Sequence, residues 1–243
     1  GPYDPETVTA FEIGAKTDWL DGRLRFNISA FLSKYDNKQE EIVRVPDGGN
    51  NAQETVVENA ADATIKGIEI EMTAIPFDGF TITSALGLLD AEYDSFGLDI
   101  TGDNVDDDVS SLNLRRTPDV TFALSGNYER DVGEGVLNTN LSFRYLDSYF
   151  TSINLDPSVV DAMGQIVRDP INDLRSETDS QYLFDASISY DIELNGVNVR
   201  ASIFGRNLLD DRGLNSTLPV AGLFTFGTAR APRQWGGSLE FEF

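Results

Sequence analysis

The chain has 243 residues, 41 Asp and Glu against 18 Lys and Arg for a formal net charge of -23, and neither Cys nor His. These absences remove disulfide scaffolds, thiolate or imidazole metal sites, cysteine nucleophiles, the Ser-His-Asp arrangement and the commonest base near neutral pH. The acidity argues against a nucleic-acid binder with a basic face, whereas 40% hydrophobic content with 15 Phe is too apolar for a disordered acidic tail.

Apolar runs reach only four to six residues, as at 86–89 with Gly87 inside, against the roughly 18–20 of a membrane helix. The start, Gly1-Pro2-Tyr3-Asp4, lacks the basic region and apolar core of a signal peptide; the chain is cytoplasmic or its start has been removed, and Gly1-Pro2 has the look of a cloning scar. A transmembrane barrel stays open, because its strands are apolar on one face only.

Taken in chain order, alternation predicts strands over about 6–19, 23–45, 54–75, 80–96, 115–131, 136–153, 181–194, 197–212 and 231–243. Leu24, Phe26, Ile28, Ala30 and Leu32 oppose Arg25, Asn27, Ser29 and Ser33; Ile68, Ile70 and Met72 oppose Glu69, Glu71 and Thr73. Tyr182, Phe184, Ala186, Ile188 and Tyr190 oppose Asp185, Ser187, Ser189 and Asp191, and Asn195-Gly196 is a strong signal for a two-residue hairpin into Val197, Val199, Ala201 and Ile203. The only helical hint is a turn or two near 157–166.

The connections alternate strictly: short at 21–22, 77–79, 133–135 and 195–196, long at 46–53, 98–114, 154–180 and 213–230. In an up-and-down meander this places every tight turn at one rim and every long loop at the other, the asymmetry of transmembrane barrels. A soluble β-sandwich, such as a carbohydrate-binding module, alternates equally well. Its strands are usually shorter, near 5–6 residues, and Greek-key crossings would scramble the loop lengths. Trp19, Phe77, Phe80 and Phe241 near turns or the terminus also suit an interfacial girdle. The expected fold is all-β, an antiparallel up-and-down transmembrane barrel.

Pro5-Glu6-Thr7 with Phe11 to Lys16, Asn59-Ala60 with Lys66 to Glu71, Arg116-Thr117-Pro118, Arg206-Asn207-Leu208-Leu209-Asp210 and Ala231-Pro232-Arg233-Gln234-Trp235-Gly236 through Phe241-Glu242-Phe243 together resemble, in order, the C-terminal part of a TonB-dependent outer-membrane receptor. The resemblance implies about nine C-terminal strands of a 22-stranded barrel over 1–243, with the plug and earlier strands absent, in the bacterial outer membrane. It implies a non-enzymatic, TonB-dependent import receptor for a scarce nutrient, most often a ferric siderophore; a passive porin is the membrane alternative. The implied partners are membrane lipid, the upstream strands and plug, TonB through the absent plug region, and a small-molecule ligand such as a siderophore, without nucleic acid or cofactor. Phe243 matches the terminal aromatic that the assembly machinery reads.

Candidate ligand-binding residues are the basic Arg115, Arg116, Arg144, Arg200 and Arg206, suited to anionic siderophores, and the aromatics Tyr149, Phe150, Phe224 and Phe226. The competing reading pairs the arginines with Glu69, Glu71, Asp185 and Glu193 inside a wet lumen. The Asp-rich loop, with Asp103, Asp106, Asp107 and Asp108, offers oxygens for calcium, although its spacing is not that of an EF-hand and Asp-Asn-Gly strings are ordinary loop material.

Overall fold

The structure, a computed structural model, describes residues 3–44, 54–101, 103, 105–161, 163–220 and 224–243. The predicted loop at 46–53, Gly102 and Asn104 of the Asp-rich loop, and Gly1-Pro2 lie outside the described residues.

Twelve strands form among the described residues. They are β1 (Thr7–Trp19), β2 (Leu24–Arg44), β3 (Glu54–Phe77), β4 (Phe80–Leu98), the short β5 (Asp107–Asp108), β6 (Val120–Val132), β7 (Gly135–Leu146), β8 (Gln181–Leu194), β9 (Val197–Arg206), β10 (Leu214–Val220), β11 (Phe224–Ala229) and β12 (Gln234–Glu242). The main sheet runs β1-β2-β3-β4-β6-β7-β8-β9-β12, each strand antiparallel to its neighbour, with β5 appended to β4 and β10–β11 as a separate hairpin. β1 and β12 stand at opposite ends, so the sheet is an open length of barrel wall. All nine predicted strands are present, and the tight turns lie together at one rim. Asn195 (φ 52°) and Gly196 (φ 83°) both take positive φ, as the two-residue turn of a twisted hairpin requires.

Four boundaries differ from the sequence reading by three residues or more, for local reasons. The strand predicted from 115 begins at Val120, because Arg116 is left-handed (φ 59°) and Pro118 has no N–H for a ladder. The strand predicted to 153 stops at Leu146, although Phe150 still bridges Glu177. The strand predicted to 212 stops at Arg206, where Asn207 turns the chain at φ 48°, and the last begins at Gln234 rather than 231. Within the predicted loop over 213–230 the structure has the hairpin β10–β11. The helical hint at 157–166 is a single 3-10 turn, Pro157–Val159, joined by a second at Leu174–Ser176.

Register fixes the two faces, because directly paired residues share a side. One row crosses seven strands as Ala15, Ile28, Ile70, Leu86, Phe122, Tyr145 and Tyr182. An inward row is Asp18, Arg25, Thr73, Thr83, Ser125, Ser142 and Asp185. No second sheet covers the apolar rows among the described residues: strands of the main sheet touch their hydrogen-bonded neighbours, and Ile68, Leu88, Leu124, Leu141, Ile188 and Ile203 are exposed. A sandwich would bury them.

Aromatics mark both edges of the apolar band. Phe77, Phe80 and Tyr128 cluster beside the 78–79 turn, with ring centroids 5.1–6.3 Å apart; Tyr145 and Tyr182 meet at 5.0 Å near the other edge. From Tyr182 to Tyr190 on β8 is about 27 Å along the strand, or about 20 Å in height at a barrel tilt near 40°, comparable with the ~25 Å apolar belt of such barrels. On β3 and β4 the outward positions turn from Ile68 and Leu88 to an ion pair, Lys66–Asp90 at 3.0 Å.

Above that level β2, β3 and β4, at 21, 24 and 19 residues, run well past the roughly 9–11 needed to span a bilayer. The buried apolar core is here. Ile42, Ala61, Ala63, Tyr93 and Phe96 of the extended strands pack against Val109, Leu112 and Leu114 of the 99–119 connection and Ile153 of the 147–180 connection. A bulge makes this possible: register slips between Tyr35 and Lys38, with Asn37 at φ 54°, so even-numbered residues of β2 point inward beyond it.

Candidate functional site

Two long connections fold onto the inner face of the wall at the loop rim, and a network of buried charges holds them there. Glu40 is fully buried. It pairs with Lys38, accepts a 2.8 Å hydrogen bond from the Tyr93 hydroxyl and lies 3.5 Å from Arg115 Nε. Its Oε2 has no hydrogen bond, so the Arg115 contact is an ion pair without hydrogen-bond geometry. Arg115 also reaches Glu41 at 3.5 Å. Thus Arg115 ties the 99–119 connection to β2, and its charge is spent within the wall.

The other predicted arginines divide in the same way. Arg144 faces Asp185 at 3.9 Å, and Arg200 binds Asp191 at 2.5 Å nearer the turn rim. The inward pairing expected of a wet lumen therefore holds for these two, with Asp185 a foreseen partner and Asp191 an additional one. Arg116 and Arg206 have no ion-pairing carboxylate among the described residues. Arg116 is exposed, its backbone N–H donating to the Phe150 carbonyl at 2.8 Å. Arg206 lies over the Phe204 ring, 5.4 Å from its centroid, a cation–π contact. Arg206, Arg200, Phe204, Asp185 and Glu240 line one inner-face recess of about 440 Å³; Arg144 belongs to the neighbouring recess of about 530 Å³ with Arg25, Asn27 and Glu71.

Tyr149 and Phe150 sit half-buried at the rim, tied by backbone pairing to Thr178 and Glu177. Phe224 and Phe226 are exposed on β11, edge to face at 4.9 Å. The hairpin's opposite side meets the 147–180 connection through Thr217 and Thr151 hydroxyls 2.9 Å apart. The structure therefore does not bring all four aromatics into one cluster.

In the Asp-rich loop the carboxylates serve the loop's own backbone. Asp103 accepts from Val105 N–H at 3.0 Å, Asp107 from Ile100 N–H at 3.2 Å and Asp108 from Ser110 N–H at 2.9 Å, while Asp106 packs where a side chain on Gly97 would stand. The Ser110 N–H and hydroxyl hold the Asp108 carboxyl below its usual range. Among the described residues no three acidic side chains converge as metal ligands would. Phe243, just past β12, is 98% exposed.

Five fasteners were not singled out as site residues. Arg230 is buried, reaching Asp211 at 2.5 Å, the Ser180 and Leu214 carbonyls at 3.0 Å, and the Asp179 carbonyl. It clasps the end of the 147–180 connection to both ends of the 207–233 connection. Burial alone would raise the Asp211 carboxyl; N–H groups of Tyr182 and Gly213 and the Arg230 guanidinium outweigh it and hold it below the ordinary carboxylate range. Asn207, within the Arg206-Asn207-Leu208-Leu209-Asp210 motif, donates to the Asp211 and Ala231 carbonyls at 2.8 Å and accepts from Asp211 N–H at 3.0 Å. Asp210 accepts from the Arg233 N–H at 3.0 Å, which joins that motif to the one opening β12. Likewise Asn59 bonds the Asp4 backbone and the Asn37 carbonyl, and Glu6 accepts from Gln39 N–H at 3.0 Å. The motif residues are largely backbone fasteners of the rim.

An open meander with an uncovered apolar face, aromatic edges and inward-folded loops is barrel wall, and the family model for "TonB dependent receptor-like, beta-barrel" matches residues 1–208. The chain belongs to the TonB-dependent receptor β-barrel family. Its place is accordingly the bacterial outer membrane, and the family is one of transport receptors rather than enzymes. The ferric-pyoverdine 358 receptor of Pseudomonas putida is 28% identical over 155 residues, covering 62% of this chain and 18% of the relative. Among solved structures, the ferric yersiniabactin uptake receptor FyuA of Yersinia pestis superposes with a TM-score of 0.65 at 14% identity, covering 98% of this chain and 30% of that one. The ferric-catecholate import receptor Fiu of E. coli K12 gives 0.63 at 17% identity, covering 99% and 28%. The ferripyoverdine receptor of the Pseudomonas aeruginosa outer membrane, bound to ferripyoverdine, gives 0.60 at 18% identity, covering 97% and 27%. These likenesses establish the fold; the chain spans less than a third of each of these relatives.

Proposed function

We propose that the chain forms the last nine strands of the barrel of a TonB-dependent importer of ferric siderophores, with the remaining strands and plug supplied by the rest of the receptor. The observation that carries this reading is the single-layer wall whose loops fold inward over a polar face, within a family whose matched relatives bear siderophore-receptor names. The wall closes backbone hydrogen bonds strand to strand, as a bilayer demands. Its inner rows, where Ser, Thr and Asn stand among charged residues, with a 2.6 Å Thr83–Ser125 hydroxyl contact and a 2.6 Å Asn140–Asn127 amide contact, give a plug a polar surface to move along. Energy would come through TonB acting on that plug.

At the rim, Arg116 and Arg206 are the cations left for an anionic ligand, with Tyr149, Phe150 and Phe204 as apolar contacts. Arg115, Arg144 and Arg200 position loops and wall. Phe224 and Phe226 form an outlying contact, Asp103, Asp106, Asp107 and Asp108 shape the 99–119 connection, and Phe243 serves assembly. The test is uptake of radiolabelled ferric siderophores by cells whose only such receptor is the full-length protein. TonB-dependent uptake that loses about tenfold in affinity in each of Arg116→Gln and Arg206→Gln, roughly one charge-assisted contact apiece, is the expected result. Uptake that persists without TonB would make the protein a passive pore, and unchanged affinity in both variants would remove these residues from the site.

A further inference from the structure

The outer face of β7, β8, β9 and β12 is not uniform. Leu141, Ile188, Ile203, Leu208 and Trp235 wall a groove of about 490 Å³. Ala186, Gly205 and Gly237 form its floor, where larger side chains stand elsewhere along the apolar rows. Leu208 folds back over Gly205, its Cδ2 only 2.5 Å from where a Cβ would be, which places the Leu208 side chain on the outer face. Trp235 is 83% exposed at the end of β12 nearer the loop rim, the level at which an indole marks a membrane interface.

Beside Leu208, which walls this groove, two guanidinium groups share one carboxylate. Arg212 holds Asp210 at 3.0 Å, and Arg233 stands 3.7 Å from it. The Arg233 Nη1 also approaches the Leu208 carbonyl at 3.5 Å, so the charged pair is joined to the residue that walls the groove. Two cations against one anion leave a positive excess, in a chain whose net charge is -23. A lone apolar groove would accept any acyl chain. A groove headed by forked cations selects a lipid with a phosphate headgroup, because arginine pairs with phosphate through parallel N–H donors.

We propose that this is a binding site for one lipopolysaccharide molecule of the outer leaflet, its lipid A phosphate held by Arg212 and Arg233 and one acyl chain lying in the groove. The proposal rests on the outer-membrane placement with the long loops facing outward, and is independent of what the receptor imports. Such a lipid would brace the base of the 207–233 connection from outside, where Arg230 braces it from within.

The test uses the full-length receptor extracted from outer membranes and reconstituted in nanodiscs containing lipid A, phosphatidylethanolamine and phosphatidylglycerol, with retained lipid counted by native mass spectrometry. One lipid A retained per receptor is expected, falling at least tenfold in Arg212→Gln/Arg233→Gln and partly recovered in Arg212→Lys/Arg233→Lys. Ala186→Phe, which fills the groove without touching charge, should reduce retention similarly. If the glutamine variant fails to assemble, Ala186→Phe decides. Retention of all three lipids in proportion to abundance overturns the proposal, as does wild-type retention of lipid A in Ala186→Phe. Displacement of lipid A by inorganic phosphate with no effect of Ala186→Phe would make it a plain anion site and overturn the lipid reading. Siderophore uptake by the same wild-type receptor is a separate readout: its absence with lipid A retained would sink the transport reading and leave this one standing.

Discussion

The two faces of the wall make opposite demands on the same substitution, and the middle of the apolar band is where to ask. Leu124 on β6 lies in the outward row Thr17, Phe26, Met72, Ser84, Leu124, Phe143 and Phe184, about midway between the aromatic edges; it is 40% exposed. Ser125, one residue on, belongs to the inward polar row and contacts Thr83. Arg at Leu124 puts a charge near the bilayer midplane, at a cost of about 2–4 kcal/mol, or roughly 30- to 1,000-fold in the folding equilibrium at 1.4 kcal/mol per tenfold. Arg at Ser125 enters the wet inner recess that Ser125 shares with Glu71, and should cost less than about 1 kcal/mol. Leu124→Trp separates lipid from protein as the neighbour. Against lipid the added volume is accommodated, whereas in a close-packed core overpacking costs about 1–3 kcal/mol. Denaturant unfolding of the full-length receptor in phospholipid vesicles, read by heat-modifiable gel mobility, measures all three. A penalty for Ser125→Arg equal to that for Leu124→Arg, or a Leu124→Trp loss above 1 kcal/mol, would refute the assignment of faces.

Glu40→Ala should leave Lys38 and Arg115 without their shared carboxylate and loosen the 99–119 connection by about 3 kcal/mol, the low end for breaking a buried ion pair since both cations keep some solvent access; hydrogen exchange at Val109 and Leu112 should rise while the β6–β7 ladder stays protected, and unchanged exchange would mean that apolar packing alone holds the loop. The folded-state pKa of Asp211 is depressed, so its stabilisation is present above the unfolded carboxylate value near 4 and is lost as pH falls through the lower folded value. Protection of the Tyr182 and Gly213 amides should accordingly persist at pH 5 and fail below about 4, and Asp211→Asn should remove that step. Replacing Asp103, Asp106, Asp107 and Asp108 by Asn should speed association of an anionic siderophore at low salt and change little at high salt, where screening falls to a few Å; abolished uptake with an intact barrel would make the loop a specific ligand or calcium site.

Alternation was enough to place nine strands because each has lipid on one side and water or polar surface on the other, which stamps a period of two on the sequence. The alternation of short and long connections then ordered the rims. What it could not give was inwardness beyond a bulge. Asn37 shifts β2 by one residue, and Glu40, outward by simple counting from Arg25 and Asn27, becomes the buried centre of the rim. Nor do strand patterns extend into loops held by specific hydrogen bonds. Arg230 and Asn207 look like ordinary polar residues until Asp211, Ser180 and Ala231 are brought beside them. The hairpin β10–β11 escaped because its strands are 7 and 6 residues long and are interrupted by Pro219, a residue that ordinarily demotes a segment from strand to loop.

The charge distribution follows from the same division. An acidic barrel importing an anionic ligand would repel it unless its arginines were free, yet most of those at the rim are not: Arg115 is held by Glu40 and Glu41, Arg175 by Asp173 at 2.5 Å, Arg168 by Asp156 at 2.9 Å, and Arg230 by Asp211. Each of these pairs fixes a connection, and a fixed pair presents little net field beyond a Debye length of about 8–10 Å. These cations are thus consumed in shaping the mouth while the net charge stays at -23, and attraction is left to the cations that pairing spares. Arg116, at a left-handed backbone position, is exposed, and Arg206 is seated on the Phe204 ring; neither has an ion-pairing carboxylate among the described residues. A cation on an aromatic face keeps its N–H edges available for a ligand's oxygens. On the proposed reading, selectivity for an anion would therefore reside in two positions set by local backbone and ring geometry, and not in the sign of the whole.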